Sequence, residues 1–174
     1  MDSASLRTLQ APLKERYKAD PSAAFITLKA RGTLGEEKIA CKIETGRAIT
    51  EAGLHPATGG TGLELCSGDM LLEALVACAG VTLKSVATAI DVPIRSGRVL
   101  VEGDLDFRGT LAVSREAAVG FAEIRLSFEL DTDAPDDKLA SLLKLTERYC
   151  VVAQSLKSPP LMTLQVGPPR GAAV

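Results

Sequence analysis

Four cysteines, at 41, 66, 78 and 150, and a single histidine, at 55, are the side chains of this 174-residue chain that invite chemistry. One histidine excludes multi-histidine metal clusters and the HExxH zinc site. The cysteines form no CxxC pair, so zinc ribbons and thioredoxin-like motifs are absent. A zinc site drawn from Cys41, Cys66, Cys78 and His55 would need ligands from unrelated elements. A Ser-His-Asp hydrolase would have to use His55 as its base, and the chain has no GxSxG elbow. Gly59, Gly60 and Gly62 lack the following Lys-Ser/Thr of a phosphate loop and read as a flexible connection. Arg47, Glu51 and His55 are near that stretch, but scattered charges of this kind usually form a solvated face. With no metal or cofactor implied, the thiol is the residue type left to do chemistry. It acts as the thiolate, so what surrounds each cysteine decides its role.

The elements around the cysteines follow from periodicity. Residues Ala24–Ala30 alternate in apolarity, as do Lys38–Ile43, where Ile39, Cys41 and Ile43 share one face. Gly32 and Gly35 between the two runs suggest a hairpin turn, and a weaker strand is expected at Arg47–Thr50. Residues 53–68 are Gly-rich and read as loop. Asp69–Ile90 is the strongest helical segment, with Asp69 at its first turn and Pro93 beyond its end. It is apolar nearly all round, which predicts burial on several sides. Asp69, Glu73 and Lys84 argue against a membrane span. Arg98–Phe107 and Phe121–Leu130 alternate apolar and charged residues, the pattern of an antiparallel hairpin with one wet face. A second helix starts at Pro135-Asp136, with Leu139, Leu142, Leu143, Thr146 and Cys150 on one stripe, and Leu161–Val166 reads as a last strand. The sum is an α+β fold, with antiparallel sheet packed on two core helices. Residues 1–22 read as an N-terminal arm with a short helix around Leu13–Lys18, residues 23–167 as a single domain, and residues 168–174 as a tail.

Composition narrows the partners. Hydrophobic residues make up 46% and charged residues 24%, which fits a folded soluble protein rather than a disordered or coiled-coil chain. The net charge of -2 and the absence of a basic tract disfavour nucleic acid, and 3% aromatics with no Trp leave no base-stacking platform. No secretory signal is evident in the first twenty residues, so free thiols in a reducing cytoplasm are expected. On these grounds Cys41 reads as a core thiol and Cys66 as more structural than reactive. Cys78, in mid-helix, is too far from the helix N-terminus for the dipole to lower its pKa. In apolar surroundings it reads first as an inert core thiol, and a functional role needs a cation brought in from elsewhere in the fold. Cys150 divides the same way. Both face inward on apolar helices, so the two can meet.

Two segments carry a resemblance to a known family. SGDMLLEALVACAGVTLKSVA (67–87) resembles the central-helix motif, roughly P-E-E-L-L-L-A-A-L-A-S-C, of the OsmC/Ohr family, the osmotically induced and organic hydroperoxide resistance proteins. TERYCVVAQSL (146–156) is similar to the family's second motif, E-x-C-P-V, and the hairpin VEGDLDFRG (101–109) between them fits as well. The resemblance covers about residues 25–166. It implies an intertwined homodimer of α+β subunits and a thiol-dependent peroxidase that needs no metal, flavin or haem. In that reading Cys78 attacks an organic hydroperoxide, Cys150 resolves the sulfenic acid as a disulfide, and an external dithiol resets the pair. The family's activating Glu falls at Gly68, with Asp69 adjacent. The stretch where its Arg is expected reads His55-Pro-Ala-Thr-Gly-Gly, leaving Arg47, Arg31 or His55 as supporting candidates. The Pro of the second motif is Val151. These departures keep a second expectation open, a non-catalytic homodimer of the same fold that binds a small apolar or thiol ligand.

Overall fold

In the computed structural model the residues described are 2–5, 8, 11, 19, 31–34, 40–44, 49–111 and 114–167, with residues 31–34, 40–44, 49, 50 and 108 described by their backbone alone. They form two compact units. Unit 1 comprises residues 1–25, 74–102 and 123–174, and unit 2 comprises residues 26–73 and 103–122. The expected strand at 24–30, the short helix at 13–18 and the tail 168–174 lie outside the described residues.

Unit 2 holds a four-stranded sheet in the order β1 (Arg31–Leu34), β2 (Ala40–Glu44), β3 (Ile49–Gly53), β4 (Leu65–Cys66). β1 and β2 are antiparallel, Arg31 opposite Glu44 and Leu34 opposite Cys41. β2 and β3 are antiparallel as well, and the two-residue β4 joins β3 in parallel. The expected turn at Gly32 is instead strand, with Gly32 in register with Ile43. Alternation fixes which residues share a face, but it leaves the hairpin turn free to slide along a Gly-rich stretch. The stretch 53–68 is likewise more ordered than expected. It contains a 3-10 turn at Pro56–Thr58, β4 and the first residues of a helix. Gly59 ends the 3-10 turn at φ +91°, a conformation glycine adopts without a Cβ penalty.

Helix α1 (Ser67–Ala89) follows, with Asp69 in its first turn. It ends at Asp91 in the left-handed region (φ 55°), where the Val92 N–H reaches back to the Ala87 carbonyl at 2.8 Å, and Pro93 forbids continuation. The second sheet has the order β5 (Ser96–Leu105), β6 (Phe121–Asp131), β7 (Leu161–Val166). Between its first two strands lies the four-residue helix α2 (Phe107–Thr110). The sheet departs from a wholly antiparallel arrangement at β6 and β7, which run parallel from Arg125 opposite Leu161 to Leu130 opposite Val166. The intervening helices α3 (Asp136–Tyr149) and α4 (Val151–Ser155) form the crossover such a pairing needs.

The core belongs to unit 1. Leu126, Phe128 and Leu130 point inward from β6 at every second residue, and Leu139, Leu142 and Thr146 from α3 at helical spacing. α1 contributes Leu75, Ala79, Leu83 and Ala87, one stripe at intervals of four. The expectation that this helix is buried on several sides does not hold within one chain. Val81 remains 72% exposed, and Leu71 is also exposed. One chain supplies a single apolar surface for the helix to pack on, so its remaining apolar faces stay open. By length and composition α1 is apolar enough to cross a bilayer, yet its buried stripe is part of this core.

Candidate active site

The structure brings Cys78 and Cys150 together inside unit 1. Cys78 is half-buried on α1, packed against the core cluster, and Cys150 is fully buried within it. Both thiols are free. Cys150 is placed by a break in the chain rather than by a helical turn. α3 stops at Tyr149, and Cys150 takes φ −73°, ψ 103°, ending one helix and starting the next. Its N–H donates to the Thr146 carbonyl at 2.9 Å, and its carbonyl accepts from the Gln154 N–H at 3.0 Å. The stripe that put Cys150 inward is thus obeyed, with the helix ending one residue before it. Thr146 sits beneath, its hydroxyl donating to the Leu142 carbonyl at 2.8 Å, so a buried polar side chain is satisfied within its own helix.

The break has an electrostatic consequence. The first N–H groups of a helix have no acceptor within it. Val151 and Val152 begin α4, and their N–H groups act on Cys78 in the direction that favours its thiolate. Burial alone pushes the Cys78 thiol up. The Val152 N–H, the Cys150 thiol, the Thr82 hydroxyl and the Val151 N–H outweigh it and hold Cys78 below its ordinary value. Cys150 moves the other way. Burial raises it, the Ala153 N–H opposes that, and its hydrogen bond to Cys78 together with the Cys78 charge adds to the rise. The pair is therefore split: one thiol ionises early and its neighbour remains a thiol. The leading influences on Cys78 are uncharged groups, whereas the sequence pointed to a cation as the missing activator. No sequence signal identifies these donors, because Val151 and Val152 come from a distant segment whose approach to Cys78 is a tertiary fact. The Thr82 spacing of four along the helix was the one visible hint.

The supporting candidates are elsewhere. His55 lies in unit 2, where its Nδ1 accepts from the Ala57 N–H at 3.0 Å and caps the 3-10 turn. Its ring stacks on Phe107 with centroids 4.8 Å apart and planes 20° apart. Asp69 is exposed in the first turn of α1. Arg31 is in β1, and Arg47 lies outside the described residues. His55, Asp69 and Cys66 line a cavity of about 620 Å³ in unit 2, walled by Leu72, Phe107 and Phe121. Gly103 is part of that wall, where a Cβ would come within 2.7 Å of the Phe121 ring, so glycine is required for the ring to lie there. Gly68, at the position of the expected Glu, has the Cys66 sulfur and the Phe121 ring as its neighbours. Among the described residues no group of three or more His, Cys, Asp or Glu is arranged to hold a metal ion.

A sequence profile of the OsmC-like protein family matches residues 60–165, the stretch that runs from before α1 through β7 and contains both thiols. The chain belongs to the OsmC-like family. Solved structures agree on the fold. An OsmC-like protein from Mycoplasma pneumoniae superposes with a TM-score of 0.64 at 15% identity, over 82% of this chain and 96% of that one. An organic hydroperoxide resistance protein OsmC from Legionella pneumophila gives 0.61 at 15%, over 82% and 97%. The organic hydroperoxide resistance protein OhrB of Bacillus subtilis gives 0.51 at 18%, over 82% and 98%. Curated proteins yield no match. The α+β architecture of this OsmC-like chain is that of its structural neighbours, and the low identities mark it as a divergent member.

Proposed function

We propose that this OsmC-like protein is a two-cysteine peroxidase that reduces organic hydroperoxides in defence against oxidative stress. The observation that carries the reading is the opposed pair: Cys78 on α1, held low, packs against the core cluster in which Cys150 is buried and held high. The Cys78 thiolate attacks the distal oxygen of ROOH, the O–O bond breaks, and the alkoxide leaves and takes a proton to become ROH. Cys78 is then a sulfenic acid. The Cys150 thiol gives up its proton and attacks that sulfur, so a disulfide forms and the hydroxyl leaves as water. An external dithiol reduces the disulfide by exchange, becoming oxidised itself and restoring two thiols. The chemistry requires no metal, flavin or haem. The family likeness and the hydroperoxide resistance proteins among the structural neighbours support the same substrate class. The exposed apolar faces of α1 support a homodimer in which a second copy covers them. A soluble, cytoplasmic protein without nucleic-acid or membrane partners fits the reduced thiols and the charge. The test is consumption of cumene hydroperoxide at the expense of a small dithiol. Turnover by the parent and none by Cys78→Ser is the expected result, and equal rates for the two would overturn it.

A second reading has its own support. The cavity of unit 2 is of small-molecule size and mixes aromatic walls with the Cys66 thiol and Asp69. A member of the fold that binds an apolar or thiol ligand there would consume no peroxide. Ligand-dependent protection of Cys66 from alkylation separates it from the first reading.

A further inference from the structure

A small groove in unit 1, of about 270 Å³, lies between α1 and the start of β5. It is separate from the thiols. At 3.6 residues per turn, Cys78 falls on one side of the buried stripe of α1, and Gly80 and Lys84 fall on the other. The floor of the groove is apolar: Leu83 and Leu130 are buried in the core, and Ile94 and Val99 pack against the same cluster. Two glycines line it without filling it. A Cβ at Gly97 would come within 2.8 Å of the Leu130 side chain, and one at Gly80 would meet Val99 at 3.4 Å. Lys84, Arg95 and Arg98 line the same groove, and they are not alike. Arg95 is engaged: its Nε donates to the Asp131 carboxylate at 3.0 Å and its Nη2 to that of Asp133 at 3.1 Å. Lys84 and Arg98 have no acidic partner among the described residues. Arg98 is also half-buried. Charges of one sign over apolar walls focus a potential into a cleft, and a guanidinium fork matches a carboxylate. A ligand that answers both features has an anion at one end and an apolar chain at the other. The volume falls just below the usual range for drug-sized ligands, which keeps that chain short. We propose that this groove binds a small aliphatic carboxylate, its anion held by Lys84 and Arg98 and its chain laid on the apolar floor. The site goes beyond the peroxidase reading and does not rest on it.

The experiment is isothermal titration calorimetry of the reduced full-length protein with three probes. Octanoate has both features, octanol keeps the chain without the charge, and acetate keeps the charge without the chain. Octanoate is expected to bind with a Kd below about 1 mM, and each of the other two about tenfold more weakly or worse. Lys84→Gln and Arg98→Gln are each expected to weaken octanoate about tenfold, the scale of a hydrogen bond to a charged group. Both are expected to melt at the parent's Tm, since neither side chain has an ion pair among the described residues to lose. No octanoate binding, octanol or acetate binding as tightly as octanoate, or an affinity unmoved in either variant would overturn the proposal. The last outcome includes octanoate held in the unit 2 cavity, which neither substitution touches. Should Arg98→Gln fail to fold, Lys84→Gln and the three probes decide the matter alone. No hydroperoxide is present, so failure here leaves the peroxidase reading standing, and failure of that reading leaves this one standing.

Discussion

Unit 1 and unit 2 each present a free cysteine next to polar groups, and only one of the two arrangements is organised for redox chemistry. Cys66 lines an open cavity beside Asp69 and aromatic rings. Cys78 is packed against the core that buries a second thiol, and that thiol, a hydroxyl and two backbone N–H groups all favour its thiolate. The difference lies in where the donors come from. The break at Cys150 starts a second helix, and its first two N–H groups favour the Cys78 thiolate. It also buries the second thiol, which must remain protonated until it is called on. A thiol in a cavity has access to a ligand. A thiol among oriented donors, with another thiol at hand, has both a stabilised anion and a way to resolve its oxidised form.

The comparison breaks most sharply at the nucleophile. Cys78→Ser removes the attacking thiolate, so dithiol-dependent peroxide consumption falls by about a hundredfold or more, whereas Cys66→Ser leaves it at the parent's rate. Equal loss in both would erase the distinction between the units. Cys150→Ser is the next largest effect. The first turnover proceeds and then stalls at a Cys78 sulfenic acid, which a sulfenic-specific probe labels on the peptide that contains residue 78. The pH profile comes third. Because the folded protein lowers the Cys78 pKa, its thiolate is populated at lower pH than an ordinary cysteine's. The rate of Cys78 oxidation therefore rises with pH and levels off below the usual thiol value of about 8.5. Cys150, raised, alkylates only above that range. The smallest effect belongs to unit 2. His55→Ala removes the cap of the 3-10 turn and the stack on Phe107, at a cost of about 1 kcal/mol read as a lower Tm, with peroxide consumption intact.

Much of this site's framework can be read directly from residue order. The alternation in β5 and β6 places Val99, Leu126, Phe128 and Leu130 on the inner side, and the spacing of Leu139, Leu142, Thr146 and Cys150 turns the second cysteine inward. Two apolar helices with inward thiols are enough to bring Cys78 and Cys150 into consideration as a pair. The chemistry of that pair is not legible in the same way. Strand and helix periods report which side of an element is buried, but the donors at Cys78 depend on where α3 stops, and that is set by the backbone at Cys150. Nor does periodicity reveal that β7 returns parallel to β6, since a strand of six residues reads alike in either direction. The apolar surface of α1 is buried along one stripe, Leu75, Ala79, Leu83 and Ala87, while Leu71 and Val81 stay exposed in this chain.

The most direct test of the central claim starts from anaerobically reduced protein and one equivalent of cumene hydroperoxide, with thiol loss followed in time and the product mapped by peptide mass. Rapid loss of two thiols and a single disulfide between Cys78 and Cys150 is the predicted result. Loss no faster than that of a free thiol in solution, or a disulfide that includes Cys66, would contradict it.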